Sequence, residues 1–185
     1  MSAIVGRLMN GGVPLVEKSS VALGMYQIET RNNEHLSSCY FESDEAVFII
    51  KGDVYKYNDA PLTKGQLFNK VSKGIDDLLN IFSGVDGYFS CVIYSKETKD
   101  TYIITDRWGM SPMYINKSDD KIMCWSTCLK NIVAKSSVKL SYDKEAIMSY
   151  IENSHFLSDR THYEKIKRVK PASIIKIDKV GIKIS

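Results

Sequence analysis

The stretch TDRWGMSPMYI, residues 105–115, decides how the chain is read. It lies between the apolar run TYIIT at 101–105 and a short Pro-led run, which predicts strand, tight connection, strand. The connection sets Asp106, Arg107 and Trp108 side by side, and Gly109 and Pro112 follow them. Glycine accepts a sharp bend at no steric cost, and proline fixes the backbone as the next strand begins. The expectation is an architectural loop. Asp106 and Arg107 pair with each other or bond to turn backbone, Trp108 plugs the core, and Gly109 permits the bend.

Outward from this loop the chain reads as many strands with a few helices between them. AIVGRLM opens the sequence, and the NGG at 10–12 before VPLV is a hairpin signal. ALGMYQIE, SCYF, AVFIIK, YFSCVIYS and KIMCW follow as further strands, parted by turn residues, which favours antiparallel sheets over a βαβ array. Between 62 and 82, Leu67, Phe68, Val71, Ile75, Leu78, Leu79 and Phe82 fall at helical spacing. Gly74 weakens the middle, so the segment reads as two short helices or one broken helix. A second helical stretch starts at Ser126, with Leu129, Ile132 and Val133 on it. A third carries Ala146, Ile147, Tyr150 and Ile151 on one face, capped by Asp143 or Ser141. The turn-like FLSDRTHYEK leads to SIIKID and GIKIS, a closing hairpin. This is an α+β pattern in which helices cover sheet faces.

Composition narrows the function classes. The 185 residues, 44% hydrophobic and 25% charged, suit one folded core, and a net charge of +3 spread along the chain gives no case for nucleic acid. The cluster of Lys165, Lys167, Arg168 and Lys170 reads as a solvated face. No apolar run nears the ~18 residues that span a bilayer and no signal-like start is present, so no membrane association is expected and the location reads as cytoplasmic. Cys39, Cys91, Cys124 and Cys128 read as thiols. Cys124 and Cys128 have no nearby His or Asp to complete a zinc shell, so no metal site is assigned.

Several stretches together resemble one family. TDRWGMSPMYI resembles the (R)DR-aromatic-G-x-x-P-L-Y signature of the class II glutamine amidotransferase domain of asparagine synthetase-type enzymes. GIDDLLNIFSGVDGYFSCVIYS ahead of it is similar to that family's helix leading into L-x-G-x-F-A-F-x-x-Y-D, and STCLKNIV behind it to the A-S-E-x-K-A-L helix. DKEAIMSYIENSHFLSDRTHYEKIKRVKPASIIKID resembles the segment that connects to a synthetase domain. The resemblance implies a four-layer αββα Ntn-hydrolase sandwich of two antiparallel sheets flanked by helices. It divides the chain into an amidotransferase-like domain at 1–138 and a helix-and-hairpin connecting segment at 139–185.

The resemblance also implies chemistry that these residues do not supply. The family begins Met-Cys-Gly-Ile, and its processed Cys attacks the glutamine amide with its own α-amine as base. Here Ser2 occupies that position, and while Met1 is retained the Ser2 nitrogen is a peptide nitrogen without basicity. The family's oxyanion donors come from N-G-E-I-Y-N, whereas this chain has Lys51, Gly52 and Asp53 in KGDVYK. Lys51 replaces a short neutral donor with a long ammonium expected to reach solvent. Losing such a donor costs ~3 kcal/mol of transition-state stabilisation. No R-L-S-I-x-D, S-D-x-E or R-H-R-G-P-D counterpart is found.

The expected function is therefore a degenerate glutaminase-like domain that acts as scaffold or docking domain in an ATP-dependent amide-forming enzyme. β-Lactam synthetases and lasso-peptide cyclases are the members it resembles in character. These residues contain no S-G-G-x-D-S run, so no cofactor is expected in this chain. ATP and Mg²⁺ would belong to an associated synthetase (adenylating) domain, in cis or in trans, with a precursor peptide as a further partner. Two alternatives stand beside this reading: a glutamine-hydrolysing amidohydrolase that uses Ser2, and a free-standing peptide-binding protein.

Overall fold

The computed structural model describes the backbone of residues 3–8, 20–23, 26–31, 38–118, 121–135, 140–178 and 182–184. Ser2, the NGG turn and the VPLV run lie outside the described residues. The chain passes through β1 (Ala3–Leu8), β2 (Ser20–Leu23), β3 (Tyr26–Arg31), β4 (Ser38–Glu42), β5 (Ala46–Tyr57) and β6 (Ala60–Pro61). Two helices follow, α1 (Lys64–Lys73) and α2 (Leu78–Ser83), then β7 (Val85–Ser95), β8 (Thr101–Thr105), β9 (Tyr114–Ser118) and β10 (Lys121–Ser126). The remainder is α3 (Leu129–Lys135), α4 (Lys144–Asn153), β11 (Ile166–Arg168), β12 (Ile174–Ile177) and β13 (Ile182–Ile184).

Two antiparallel sheets result. One has the order β11-β9-β10-β1-β3-β2, and the other β13-β12-β8-β7-β5-β4 with β6 paired to β5. Residues 139–185 thus supply β11 to the first sheet and β12 and β13 to the second.

Strand alternation decides what lies between the layers. Val47 and Ile49 of β5, Val92 and Tyr94 of β7, Ile103 of β8 and Ile175 of β12 join Ile115, Ile122 and Trp125 of the other sheet in one inter-sheet core. The opposite face of the second sheet, including Phe48, Ile50, Phe89, Cys91 and Ile104, packs against Leu67 and Val71 of α1 and Leu78 and Ile81 of α2. On the outer face of the first sheet, Cys124 and Ile166 meet Ile132 of α3. The order of layers is helix, sheet, sheet, helix, the αββα sandwich expected from the sequence.

The broken helix is observed, and its signals are local. Thr63 and Gln66 form a reciprocal capping box, Gln66 N donating to Thr63 Oγ1 at 3.2 Å and Thr63 N to Gln66 Oε1 at 2.8 Å. Gly74 ends α1, and a single 3₁₀ turn at Ile75–Asp77 leads into α2. Asp143, not Ser141, caps α4 by accepting from Ala146 N at 3.0 Å.

Two expectations need correction. ALGMYQIE is not one strand: β2 and β3 pair antiparallel with Leu23 opposite Tyr26, a reversal for which Gly24 was the available signal. The second helical stretch begins at Leu129, because Ser126 stays in β10, paired with Val5 and Tyr114, and its Oγ accepts from Cys128 N at 3.0 Å.

Candidate functional site

The 106–112 loop is built around a buried acid. Asp106 is 1% exposed, and its carboxylate accepts from Trp108 N at 2.8 Å, Met110 N at 3.1 Å and Ser111 N at 3.0 Å. Its backbone carbonyl accepts from Gly109 N and Ala172 N. Asp106 and Arg107 do not pair with each other. Arg107 donates to the Ser83 carbonyl at 3.1 Å and lies 3.6 Å from Asp86, tying the loop to the end of α2. Gly109 takes a φ of +65°, and Arg168 donates to its carbonyl at 2.6 Å. Pro112 is half-buried at the approach to β9.

Trp108 does not plug the core. It is 72% exposed, and Met110 beside it is also exposed. The reason lies in the clamp: Asp106 holds the turn from the inside, while Met113, immediately before β9, and Trp125 of β10 fill the inter-sheet space. The loop's bonds leave its indole pointing outward.

The second group of expected residues lies at one end of the inter-sheet space. Cross-strand pairs define rows on the inner face of the second sheet: Ile49, Val92, Ile103 and Ile175 form one, and the next is Lys51, Ser90 and Thr105. The inner face therefore changes from apolar to polar within one step of two residues. Ser90 Oγ donates to the Ser111 carbonyl, and Thr105 Oγ1 to that of Lys170 at 2.7 Å. On the facing sheet, β10 ends and β1 begins at one edge, since Val5 lies opposite Ser126. Cys128, just beyond, lies near Lys51.

Lys51 does not reach solvent as expected. It is half-buried, and burial holds its ammonium below the ordinary lysine pKa, with only the Cys128 thiol opposing the shift. Parity explains the difference, because Lys51 continues the inward series of Val47 and Ile49. Gly52 follows with a φ of +93°, and a Cβ there would sit 2.0 Å from the Tyr88 carbonyl oxygen. Beyond this bend Asp53 turns to α1. Its carboxylate pairs with Lys64 at 2.9 Å and accepts from Tyr88 Oη at 2.6 Å, and these bonds hold it below the usual carboxylate range. Asp53 is thereby withdrawn from Lys51.

The polar row had a sequence signal only in its parity with flanking apolar residues, and Ser90, Thr105 and Ser111 were missed as members. Elsewhere, a cavity of about 290 Å³ lies on the outer face of the second sheet, bounded by Leu79, Phe82, Phe89, Ile104, Arg107 and Ile174. It is separated by the sheet from Lys51. No disulfide joins the four cysteines, and no group of three or more His, Cys, Asp or Glu able to hold a metal occurs among the described residues. No helix of the described residues is long and apolar enough to cross a membrane.

Comparison with known proteins fits the motifs. The glutamine-hydrolysing asparagine synthetase 1 of Bacillus subtilis (strain 168) is 25% identical over 144 residues, 72% of this chain and 22% of that protein. The chain thus spans about a fifth of the length of that curated relative. Among solved structures, the glutamine phosphoribosylpyrophosphate amidotransferase of B. subtilis complexed with ADP and GMP aligns over the whole chain and 42% of its own, with a TM-score of 0.46 and 11% identity. A structure described as the allosteric regulatory enzyme of purine biosynthesis aligns over the same shares with a TM-score of 0.47 and 14% identity. The family model for the glutamine amidotransferase domain matches residues 18–185, and this chain belongs to that family.

Proposed function

We propose that this chain is a glutamine amidotransferase domain whose glutaminase chemistry has been lost. Its retained shell serves as scaffold or docking domain in an ATP-dependent amide-forming enzyme of asparagine synthetase type, with a peptide cyclase as the particular case. Lys51 carries this reading. At the position where the resemblance places a neutral amide donor stands a half-buried ammonium that no carboxylate of the described residues offsets. A neutral donor binds an uncharged amide weakly and a developing oxyanion strongly, which is the difference that accelerates a reaction. An ammonium also binds the fully formed carboxylate product strongly and so retains it, and its long flexible stem lacks the fixed N–H geometry of an amide donor.

A docking role draws support from α4. It buries only Ala146 fully, and leaves Met148 and Ile151 exposed, with Leu157 exposed just beyond it. In this reading an adenylating domain, in cis or in trans, brings ATP and Mg²⁺, and the location is cytoplasmic.

Ammonia release from L-glutamine tests the proposal, with Ser2→Ala as control. The expected result is no release above that control. Release that Ser2→Ala abolishes refutes the proposal and supports the serine amidohydrolase.

A further inference from the structure

We propose that Lys51, with Ser111 brought to it through Ser90, forms a binding site for a small monocarboxylate at the polar end of the inter-sheet space. The inference deepens the reading above and rests on it for the claim that the ligand is held and not hydrolysed.

Three observations converge. Lys51 is on the inner face, directly opposite Ser90 in the β5–β7 register, and no carboxylate among the described residues pairs with it. Asp53, the nearest acid in sequence, is held by Lys64 and Tyr88 beyond the Gly52 bend. Ser111 is 5% exposed, and its Oγ has no hydrogen-bond partner although its carbonyl accepts from Ser90 Oγ. A buried hydroxyl left unbonded and a half-buried cation left unpaired are each costly, and both costs end when one ligand supplies an anionic acceptor.

The charge count selects the ligand class. One ammonium neutralises one carboxylate, whereas a phosphate dianion would leave net negative charge in a partly desolvated space. A primary amide gives Lys51 no counter-charge. The site therefore prefers a carboxylate to its own amide, and would hold the acid product of an amide hydrolysis more tightly than the amide.

Calorimetric titration of the intact protein with acetate, propionate and L-glutamate, against propionamide, L-glutamine and inorganic phosphate, tests this. Carboxylates are expected to bind roughly 10-fold or more tighter than their amides, as a charge-assisted bond predicts. Lys51→Met should lower carboxylate affinity by about the same factor, and Ser111→Ala by a smaller factor of roughly 3 to 10. Lys51→Arg should retain most of it, and circular dichroism checks that each variant is folded. Affinity should also fall as pH rises through the lowered Lys51 value. The Cys128 thiol lies near Lys51 among the described residues, and the fall should persist in Cys128→Ser. Equal affinity for propionate and propionamide, tighter binding of phosphate, or unchanged carboxylate binding by folded Lys51→Met overturns the inference. Ammonia release from L-glutamine would instead overturn the loss of glutaminase chemistry, so the two failures are distinguishable.

Discussion

Replacing Asp106 by alanine should be among the most destabilising single changes in the protein. The carboxylate accepts three backbone N–H bonds, from Trp108, Met110 and Ser111, at 2.8, 3.1 and 3.0 Å, and its residue is 1% exposed. A hydrogen bond to a charged group contributes about 1.5–3 kcal/mol net, and a buried donor left without a partner costs about 1–3 kcal/mol. Water entering the vacated space re-bonds the outer amides, so the expected loss is about 4 kcal/mol and not the full sum of three bonds. Asp106→Asn separates the cause. Its Oδ1 still serves Trp108 and Met110, which share one carboxylate oxygen, while its amide nitrogen faces Ser111 N, donor against donor. A loss of about 2 kcal/mol is expected there. Trp108→Ala on the same loop should cost under about 0.5 kcal/mol, because the side chain is 72% exposed. Urea unfolding followed by circular dichroism measures all three with one slope. If Asp106→Ala costs less than about 1 kcal/mol, or Trp108→Ala costs as much as Asp106→Ala, the clamp is not what holds the loop.

Gly52→Ala should destabilise by at least about 2 kcal/mol, since φ is +93° and the new Cβ would meet the Tyr88 carbonyl at 2.0 Å. A urea midpoint shift near zero would show that the bend relaxes freely. Asp143 is held below the ordinary carboxylate range first by the Arg160 guanidinium, which contacts it at 2.5 and 2.9 Å. A lowered folded pKa means stability that is complete above the unfolded value and is lost as pH falls through the folded one. Asp143→Asn should therefore flatten the acid limb of stability below about pH 4, measured as urea midpoint against pH. An unchanged acid limb would remove Asp143 as a contributor.

What the sequence disclosed depended on the range of the interaction. The near-continuous apolar runs in AVFIIK and YFSCVIYS placed β5 and β7, because a sheet buried on both faces needs only nearest-neighbour apolar residues to be recognised. Gly74 and Asp143 marked real helix ends for the same reason: capping is settled within four residues. Trp108 misled because a large indole between two buried strands has the composition of core, and only the Asp106 bonds show that the turn excludes it. The row of Lys51, Ser90 and Thr105 exists only once three strands are in register. Lys51 itself was assigned to solvent from the general habit of lysine, although its spacing from Val47 and Ile49 put it on the inner face. β11 was not read as a strand, since a run of three residues shows itself only through its pairing with β9.

The same register explains how the shell of this family persists when the residues at its centre change. Stability resides in the inner rows through Val47 with Tyr94 and Ile49 with Val92 and Ile103, and in the outer cluster under α1 and α2. Burial there contributes about 25 cal/mol for each Å² of apolar surface removed from water. The row that starts at Lys51 lies one pair beyond, where the sheet opens toward the start of β1 and end of β10, and where Ser90 and Thr105 satisfy their hydroxyls on neighbouring carbonyls. A substitution at that row removes little apolar contact. Its cost is local, the partial desolvation of the Lys51 ammonium. Catalysis in general is far less tolerant of such changes, because it depends on the charge and reach of single donors. A chain can therefore keep the sandwich, the Asp106 clamp and the Gly52 bend unchanged while the neutral donor expected at position 51 gives way to a cation.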